Sequence, residues 1–226
     1  MATPLAAVEP GGSIKKTDRS ASFDREIGYN PGVSERSAVA GPRSQARKRI
    51  LDAAYDLFST RGIRAVGIDE IVERAAVAKA TLYRHFRTKD ELVLSFLEQR
   101  EELWTKEFFE AEVRRRGATP EARLFVIFDV FDEWFRAERF EACSFINTLL
   151  EMGPEHVLGK AAVVYLENIR SLIATLAAEA GLRDVDSFAS SWQLLMKGSI
   201  VSAAGGDLEA AQRAKAMARL VIERYR

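Results

Sequence analysis

Two short helical segments with almost no connector between them constrain the fold more than any other stretch of the sequence. Apolar residues recur at helical spacing from Ile68 to Ala75, a break follows at Ala76-Val77, and a second helix is predicted from about Ala78 to Phe86. So short a connector fixes the angle between two helices, which is how a helix-turn-helix unit is built. Because this unit buries little surface alone, we expect it to rest on neighbouring helices.

The rest of the chain from Pro42 onward also follows a helical pattern. A helix is predicted to begin at the capping residue Ser44 and to stop at Gly62, and a much longer one extends from Thr88 to about Arg116. Further helices are predicted over residues 119–135, 141–152, 154–180, 186–204 and 207 to near the C-terminus. Without a convincing alternating strand pattern, the predicted class is all-α with about nine helices.

These helices divide into two predicted domains behind an N-terminal tail. Residues 1–42 are rich in Gly, Ser, Pro and Ala without a sustained period, which predicts disorder. An alternative is that the end of this tail forms a basic arm in a DNA minor groove. Residues 43–89 form the predicted three-helix head, a helix-turn-helix DNA-binding domain, and residues 90–226 form a larger helical ligand-binding and dimerisation domain.

The composition argues against several classes of protein. Cys143 is the only cysteine and there are two histidines, so a closed Cys/His zinc site cannot be assembled and no metal or other cofactor is expected. The Gly153 to Lys160 segment matches a phosphate loop poorly, and no nucleophile elbow or dinucleotide fingerprint is present, so the chain is not expected to be an enzyme. The sequence contains neither an apolar run like that of a signal peptide nor the 18 uninterrupted apolar residues of a membrane-spanning helix. This predicts a cytoplasmic protein without a membrane partner.

The charge of the chain is balanced overall but concentrated locally. Residues 43–89 carry eleven basic and five acidic residues, a net charge of +6, whereas the whole chain has a formal net charge of +0. A basic head suits a polyanion, although basic residues on a short helix are also typical of a solvated surface.

A helical wheel for residues 78–86 separates an inner from an outer face. Leu82 and Phe86 point inward, whereas Ala80, Thr81, Tyr83 and Arg84 point outward, with Lys79 and His85 at the flanks. An arginine can bind guanine or phosphate, and hydroxyl groups can donate and accept hydrogen bonds. An alanine allows close approach to a base. Lys89 begins the long helix, where exposed N–H groups suit a phosphate.

Four motifs resemble the N-terminal signature of the TetR (tetracycline-repressor-like) family over residues 44–95. They are Ala53-Ala54-x-x-Leu57-Phe58-x-x-x-Gly62, Ile68-x-x-Ile71-x-x-x-Ala75-x-Val77, Leu82-Tyr83-x-His85-Phe86 and Lys89-x-x-Leu92. The resemblance implies a DNA-binding transcriptional regulator, by default a repressor, that binds double-stranded operator DNA. The residues assigned to DNA contact are Arg47, Lys79, Ala80, Thr81, Tyr83, Arg84, His85 and Lys89.

This sequence departs from the family pattern at four positions. Ala76 and Ala80 stand where glycine is usual, Ala78 where a capping serine is common, and Gly67 where a Ser or Thr hydroxyl is usual before the second helix. A missing cap costs about 1 kcal/mol, which packing can absorb.

Aromatic residues are concentrated between Trp104 and Phe145. Aromatic side chains at helical spacing usually belong to the hydrophobic core. The TetR resemblance, however, implies a cavity for a small, apolar or aromatic effector in this region. The predicted ligand-binding residues are Trp104, Phe108, Phe128, Phe131, Trp134, Phe145 and Asn147, with Cys143 and His156 as further polar candidates. A ligand beside the long helix would shift that helix and, through it, the head.

The last two helices are rich in small and aliphatic residues and are predicted to pair with those of a second subunit. The predicted homodimer residues are Trp192, Leu195, Ile200, Ala211, Ala214 and Ala218. Packing within one chain is the alternative. For the whole protein, the alternative interpretation is a helical interaction protein that binds DNA nonspecifically or binds no effector.

Overall fold

The computed structural model describes residues 42–226, with side chains from Gln45 onward, and these residues form nine helices and no strand. The predicted tail, residues 1–42, lies outside the described residues except at its last position. The helices are α1 Pro42–Arg61, α2 Ile68–Arg74, α3 Lys79–His85, α4 (Lys89–Arg100, Glu101–Glu110 and Ala111–Arg116 in succession), α5 Pro120–Phe135, α6 Ser144–Met152, α7 Val157–Glu179, α8 Val185–Ala204 and α9 Ala210–Tyr225. The all-α architecture predicted from the sequence is confirmed.

The head consists of α1, α2 and α3 around a small apolar core. Ile50, Ile71 and Leu82 are fully buried, one from each helix. Phe96 of α4 completes this core, because its ring lies 5.4 Å from that of Tyr55 and 5.6 Å from that of Phe58. The head therefore rests on α4 through α1, and this support is what its small size requires.

Helix α4 runs continuously from the head into the body. It begins at Thr88, whose hydroxyl accepts a 3.1 Å hydrogen bond from the backbone N–H of Glu91. Its middle third, Glu101–Glu110, is a π-helix. Such segments are rare and occur often at functional sites.

Helix α7 is the central helix of the body. By length and composition alone it could cross a membrane, but it packs against α5, α6 and α8 and buries Leu166, Ile173 and Leu176 among them. An apolar face covered in this way is typical of the core helix of a folded domain.

Four helices begin at other positions than the sequence suggested, and one of them is α9, which starts at Ala210 and not at residue 207. α1 starts at Pro42, before the suggested cap Ser44. α6 starts at Ser144 because Ala142 has a positive φ of 57° and Cys143 is extended. α7 starts at Val157, since the His156 ring caps it by accepting from the Leu158 N–H at 3.2 Å.

Candidate functional site

Helix α3 presents two chemically different faces. Leu82 and the adjoining Phe86 are buried in the head, whereas Ala80 and Arg84 are exposed and Tyr83 is 43% exposed. Thr81 and His85 lie half-buried at the edges of this outer face. The helical wheel thus gave the orientation of the helix correctly, while contact with DNA stays a prediction.

The turn between α2 and α3 depends on a backbone conformation that suits glycine better than the residue present. Ala76 has a φ of 50°, and the Val77 N–H closes the turn by donating to the Val72 carbonyl at 3.1 Å. Ala78 stands at the N-cap of α3 and supplies no side-chain hydrogen bond. The tight turn therefore forms with alanines at the positions where the family favours Gly and Ser.

Lys79 and Arg47, two of the residues predicted to contact DNA, lie at the surface of the head. The Lys79 ammonium pairs with Asp69 at 2.7 Å, and the hydrogen bond and charge of Asp69 raise the pKa of Lys79. The exposed Arg47 holds its guanidinium 5.0 Å from the centre of the Phe86 ring. An exposed ion pair contributes little to stability, so Lys79 can exchange its carboxylate for a phosphate at small cost.

Lys89, which the sequence assigned to DNA contact, directs its ammonium group towards the loop after α1. Its ammonium donates to the Ile63 carbonyl at 2.5 Å and lies 5.9 Å from the centre of the Phe58 ring. This partial burial lowers the pKa of Lys89. The side chain fastens the loop after α1 to the start of α4, so a phosphate contact there would need the backbone N–H groups instead.

Direct contacts between the body and the head were missed by the sequence reasoning. The Glu151 carboxylate of α6 accepts from the N–H groups of Ile63 at 3.0 Å and Arg64 at 2.5 Å. Arg139, between α5 and α6, pairs at 2.6 Å with Asp56 of α1. One signal for the first contact was available, because Glu151 is the only charged residue of α6.

Most of the predicted effector residues join one buried aromatic cluster. Trp104 stacks on Phe109 at 5.2 Å and lies 4.9 Å from Trp134, which in turn contacts Phe131 at 5.6 Å. Phe128 continues the cluster to Trp192 at 5.4 Å.

The other predicted effector residues have different surroundings. Phe108 is buried on α4, and Phe145 stacks on Tyr165 of α7 at 5.0 Å. Asn147 is exposed on α6, so it does not supply the polar group that the sequence assigned to this buried region.

Most of the residues predicted for the dimer interface are buried in the single chain, although Leu195 and Ala214 also line the groove between α8 and α9, and the interface itself stays a prediction. Trp192, Ile200, Ala211, Ala214 and Ala218 are buried within the single chain, and Leu195 is half-buried. They pack α8 and α9 onto the body because they occupy the inward faces of these helices.

The outward faces of α8 and α9 carry other large apolar side chains. They are Leu194, Val201, Met217 and Leu220, all more than half exposed. Between them lies a groove of about 190 Å³ lined by Leu194, Gly198 and Met217 among others. Exposed apolar side chains beside a groove are typical of an interaction surface, and Ser202, Asp207 and Arg213 also line this groove.

The described residues were also compared with the arrangement that a metal site requires. Within residues 42–226, no group of three or more His, Cys, Asp or Glu side chains is placed to hold a metal ion.

Comparison with known proteins gives matches to both parts of this structure. Residues 50–96 match the family model described as bacterial regulatory proteins, tetR family. The transcriptional activator FasR of Mycolicibacterium smegmatis is 37% identical over 83 residues, which cover 37% of this chain and 38% of FasR. The transcriptional repressor KstR of Rhodococcus jostii is 36% identical over 91 residues, 40% of this chain and 39% of KstR.

The curated matches thus span less than half the length of these relatives. A solved structure extends the similarity to the body. A TetR-family transcriptional regulator from Streptomyces coelicolor superposes with a TM-score of 0.72 at 27% identity, over 80% of this chain and 96% of that one.

Proposed function

We propose that this chain, whose residues 50–96 match the tetR family model and whose fold resembles that of a TetR-family regulator, binds a palindromic operator as a ligand-responsive homodimer. The observation that carries the proposal is the outer face of α3. Tyr83 and Arg84 are exposed there, beside Thr81, in a segment with a net charge of +6. Hydroxyl and guanidinium groups on a helix of this kind can read base edges in the major groove.

The exposed apolar face of α8 and α9 supports the dimer. Two such faces, meeting around a twofold axis, would form a four-helix interface and cover Leu194, Val201, Met217 and Leu220. A dimer also has a functional reason, since one short recognition helix buries little surface and two heads add their binding energies on two half-sites.

The effector is proposed to bind beside α4, next to the aromatic cluster. Helix α4 supports the head through Phe96, and α6 holds the loop at Ile63 and Arg64 through Glu151. A ligand that prefers one arrangement of these helices would change the spacing of the two heads. A thousandfold loss of operator affinity requires about 4 kcal/mol of differential ligand binding between the two states.

We propose repression as the output, in the cytoplasm where the operator DNA is. A dimer that occupies an operator excludes other proteins from it without any further contact, whereas activation needs an additional surface for a partner. KstR is a repressor and FasR an activator, so the relatives leave both outputs open for this chain.

Selection of binding sites from random duplexes tests the proposal. We expect a symmetric consensus, bound by a dimer, with a log–log salt slope of about −0.9 per neutralised phosphate. The double variant Tyr83→Ala/Arg84→Ala should lose sequence preference and remain dimeric. Lys160→Ala, an exposed lysine of the body, is the matched control.

A monomer without preference for any symmetric duplex would contradict the proposal. Binding that is equally tight to all sequences would favour the alternative of a helical interaction protein with nonspecific DNA binding.

A further inference from the structure

The lysine and the arginine of α3 have different surroundings. Lys79 is the first residue of this helix, and its ammonium lies 2.7 Å from the carboxylate of Asp69, the second residue of α2. Arg84, five residues later, is exposed and forms no ion pair with any of the described residues. In the protein without DNA, an acidic side chain therefore holds the lysine but not the arginine.

The ion pair between Lys79 and Asp69 lies at the surface of the head. The Lys79 side chain is 53% exposed and that of Asp69 is 81% exposed. In a helix-turn-helix unit the first helix crosses the DNA backbone, and the N-terminal residues of the second helix reach towards the groove. This ion pair joins the N-terminal ends of the two helices, so a phosphate of bound DNA would approach it.

A phosphate and the Asp69 carboxylate would compete for one ammonium. The carboxylate is part of the chain and lies in direct contact with Lys79 before any DNA arrives. In a loosely held complex water separates the head from the phosphates, so the internal ion pair persists. When α3 is docked in the groove, a phosphate is held in direct contact, and the exchange costs little because an exposed ion pair contributes little to stability.

We propose that Asp69 is a specificity-determining residue, which withholds Lys79 from the phosphates of nonspecific DNA and releases it when α3 docks on the operator. Nonspecific binding comes almost entirely from the neutralisation of phosphates, so each lysine that is withheld weakens it. The operator complex keeps the contact, and the ratio of the two affinities rises. This inference rests on the proposed operator binding and names a residue that sets its selectivity.

Salt titrations of the full chain on two duplexes test the proposal. One duplex is the palindrome obtained by site selection, and the other is a scrambled duplex of the same length and composition. At low salt Asp69→Asn should bind the scrambled duplex at least about fivefold more tightly, with a log–log salt slope steeper by about 1.8, because each of two heads gains one phosphate. Affinity for the palindrome should change by less than about twofold, since the exposed ion pair is weak.

Glu73→Gln is the matched control for the loss of one negative charge. Glu73 is also exposed on α2 and forms no ion pair with any described residue, so its substitution should change the affinities for both duplexes by the same factor. Asp69→Ser, which also removes the carboxylate, should act like Asp69→Asn. Circular dichroism of each variant identifies a folding defect.

A double-mutant cycle tests whether Asp69 acts through Lys79. In the background of Lys79→Gln no ammonium is left to release, so Asp69→Asn should no longer steepen the salt slope on the scrambled duplex. A purely structural role of Asp69 would not depend on Lys79 in this way.

Three results would overturn the inference: the parent's salt slope for Asp69→Asn on the scrambled duplex, an equal gain on both duplexes, or the same gain in the background of Lys79→Gln. Site selection with the parent protein separates such a failure from failure of the proposed function. A dimer that selects a palindrome, with a selectivity that does not depend on Asp69, refutes only the role of this residue.

Discussion

The guanidinium of Arg100 donates a 2.6 Å hydrogen bond to the hydroxyl of Tyr55, and this contact joins α4 to α1 inside the protein. Arg100 is buried, and its guanidinium also lies 5.5 Å from the centre of the Trp104 ring. The body and the head thus meet at a buried charge, on which the carboxylate of Glu141 also acts. The stability of a protein with a buried cation depends strongly on each hydrogen bond that the cation makes.

Tyr55→Phe should lower the free energy of unfolding by about 1.5–3 kcal/mol, because it removes a hydrogen bond to a buried charge. Urea denaturation followed by circular dichroism measures this change. Tyr83→Phe is the control, since the Tyr83 side chain is exposed on α3, and it should change stability by less than about 0.5 kcal/mol. Equal effects of the two substitutions would show that the Arg100 contact contributes nothing.

Ala76→Gly should stabilise the head, because glycine adopts the positive φ of this turn without strain. The left-handed conformation costs a non-glycine residue about 1–2 kcal/mol, and the larger entropy loss of glycine offsets about 0.5–1 of it. Thermal unfolding should therefore show a small gain. Ala75→Gly, at a residue with a φ of −76°, should destabilise instead, and a loss of stability in both variants would refute the strain argument.

Glu151→Ala should weaken operator binding without unfolding the protein. The substitution leaves the N–H groups of Ile63 and Arg64 without their carboxylate partner, so the loop that follows α1 is less well held. We expect about a tenfold loss of affinity in an equilibrium binding assay, equivalent to one lost hydrogen-bonded contact. Glu155→Ala, in the exposed turn before α7, should bind like the parent, and an unchanged affinity of Glu151→Ala would exclude coupling through α6.

Leu194→Glu should convert the proposed dimer to a monomer, since it places a charge among the exposed apolar side chains of α8 and α9. Sedimentation velocity measures the assembly, and operator affinity should fall with it. Leu150→Glu is the control, because Leu150 is equally exposed, at 77% compared with 72%, but lies on α6. If Leu194→Glu sediments like the parent protein, the interface lies elsewhere.

The helices of the head could be predicted because local signals agree there. Apolar spacing, the break at Ala76-Val77 and the cap at Thr88 each specify the same elements, and Leu82 and Phe86 were correctly assigned to the inner face. The position of the Lys89 ammonium was not predictable, since its partner is a backbone carbonyl of Ile63, 26 residues earlier in the chain. No periodicity encodes a contact of that kind.

The body was predicted only at the level of its helices. The outward faces of α8 and α9 also carry large apolar residues, so the pattern alone could not decide which apolar positions turn inward, and most of the residues chosen for the interface are buried within the single chain. The π-helical segment of α4 was also missed, because a single extra residue per turn leaves no distinct signature in a sequence of this composition. Such features depend on packing between distant segments.

The peptide groups around Ile63 are held from two directions. Its carbonyl accepts the Lys89 ammonium of α4, and its N–H donates to Glu151 of α6. If α4 and α6 move together as one unit, both bonds keep their lengths and the head simply follows. If the two helices slide past each other, the two bonds cannot both persist, so a relative displacement of its two supports strains the loop at Ile63, whereas a motion they share leaves the loop unstrained.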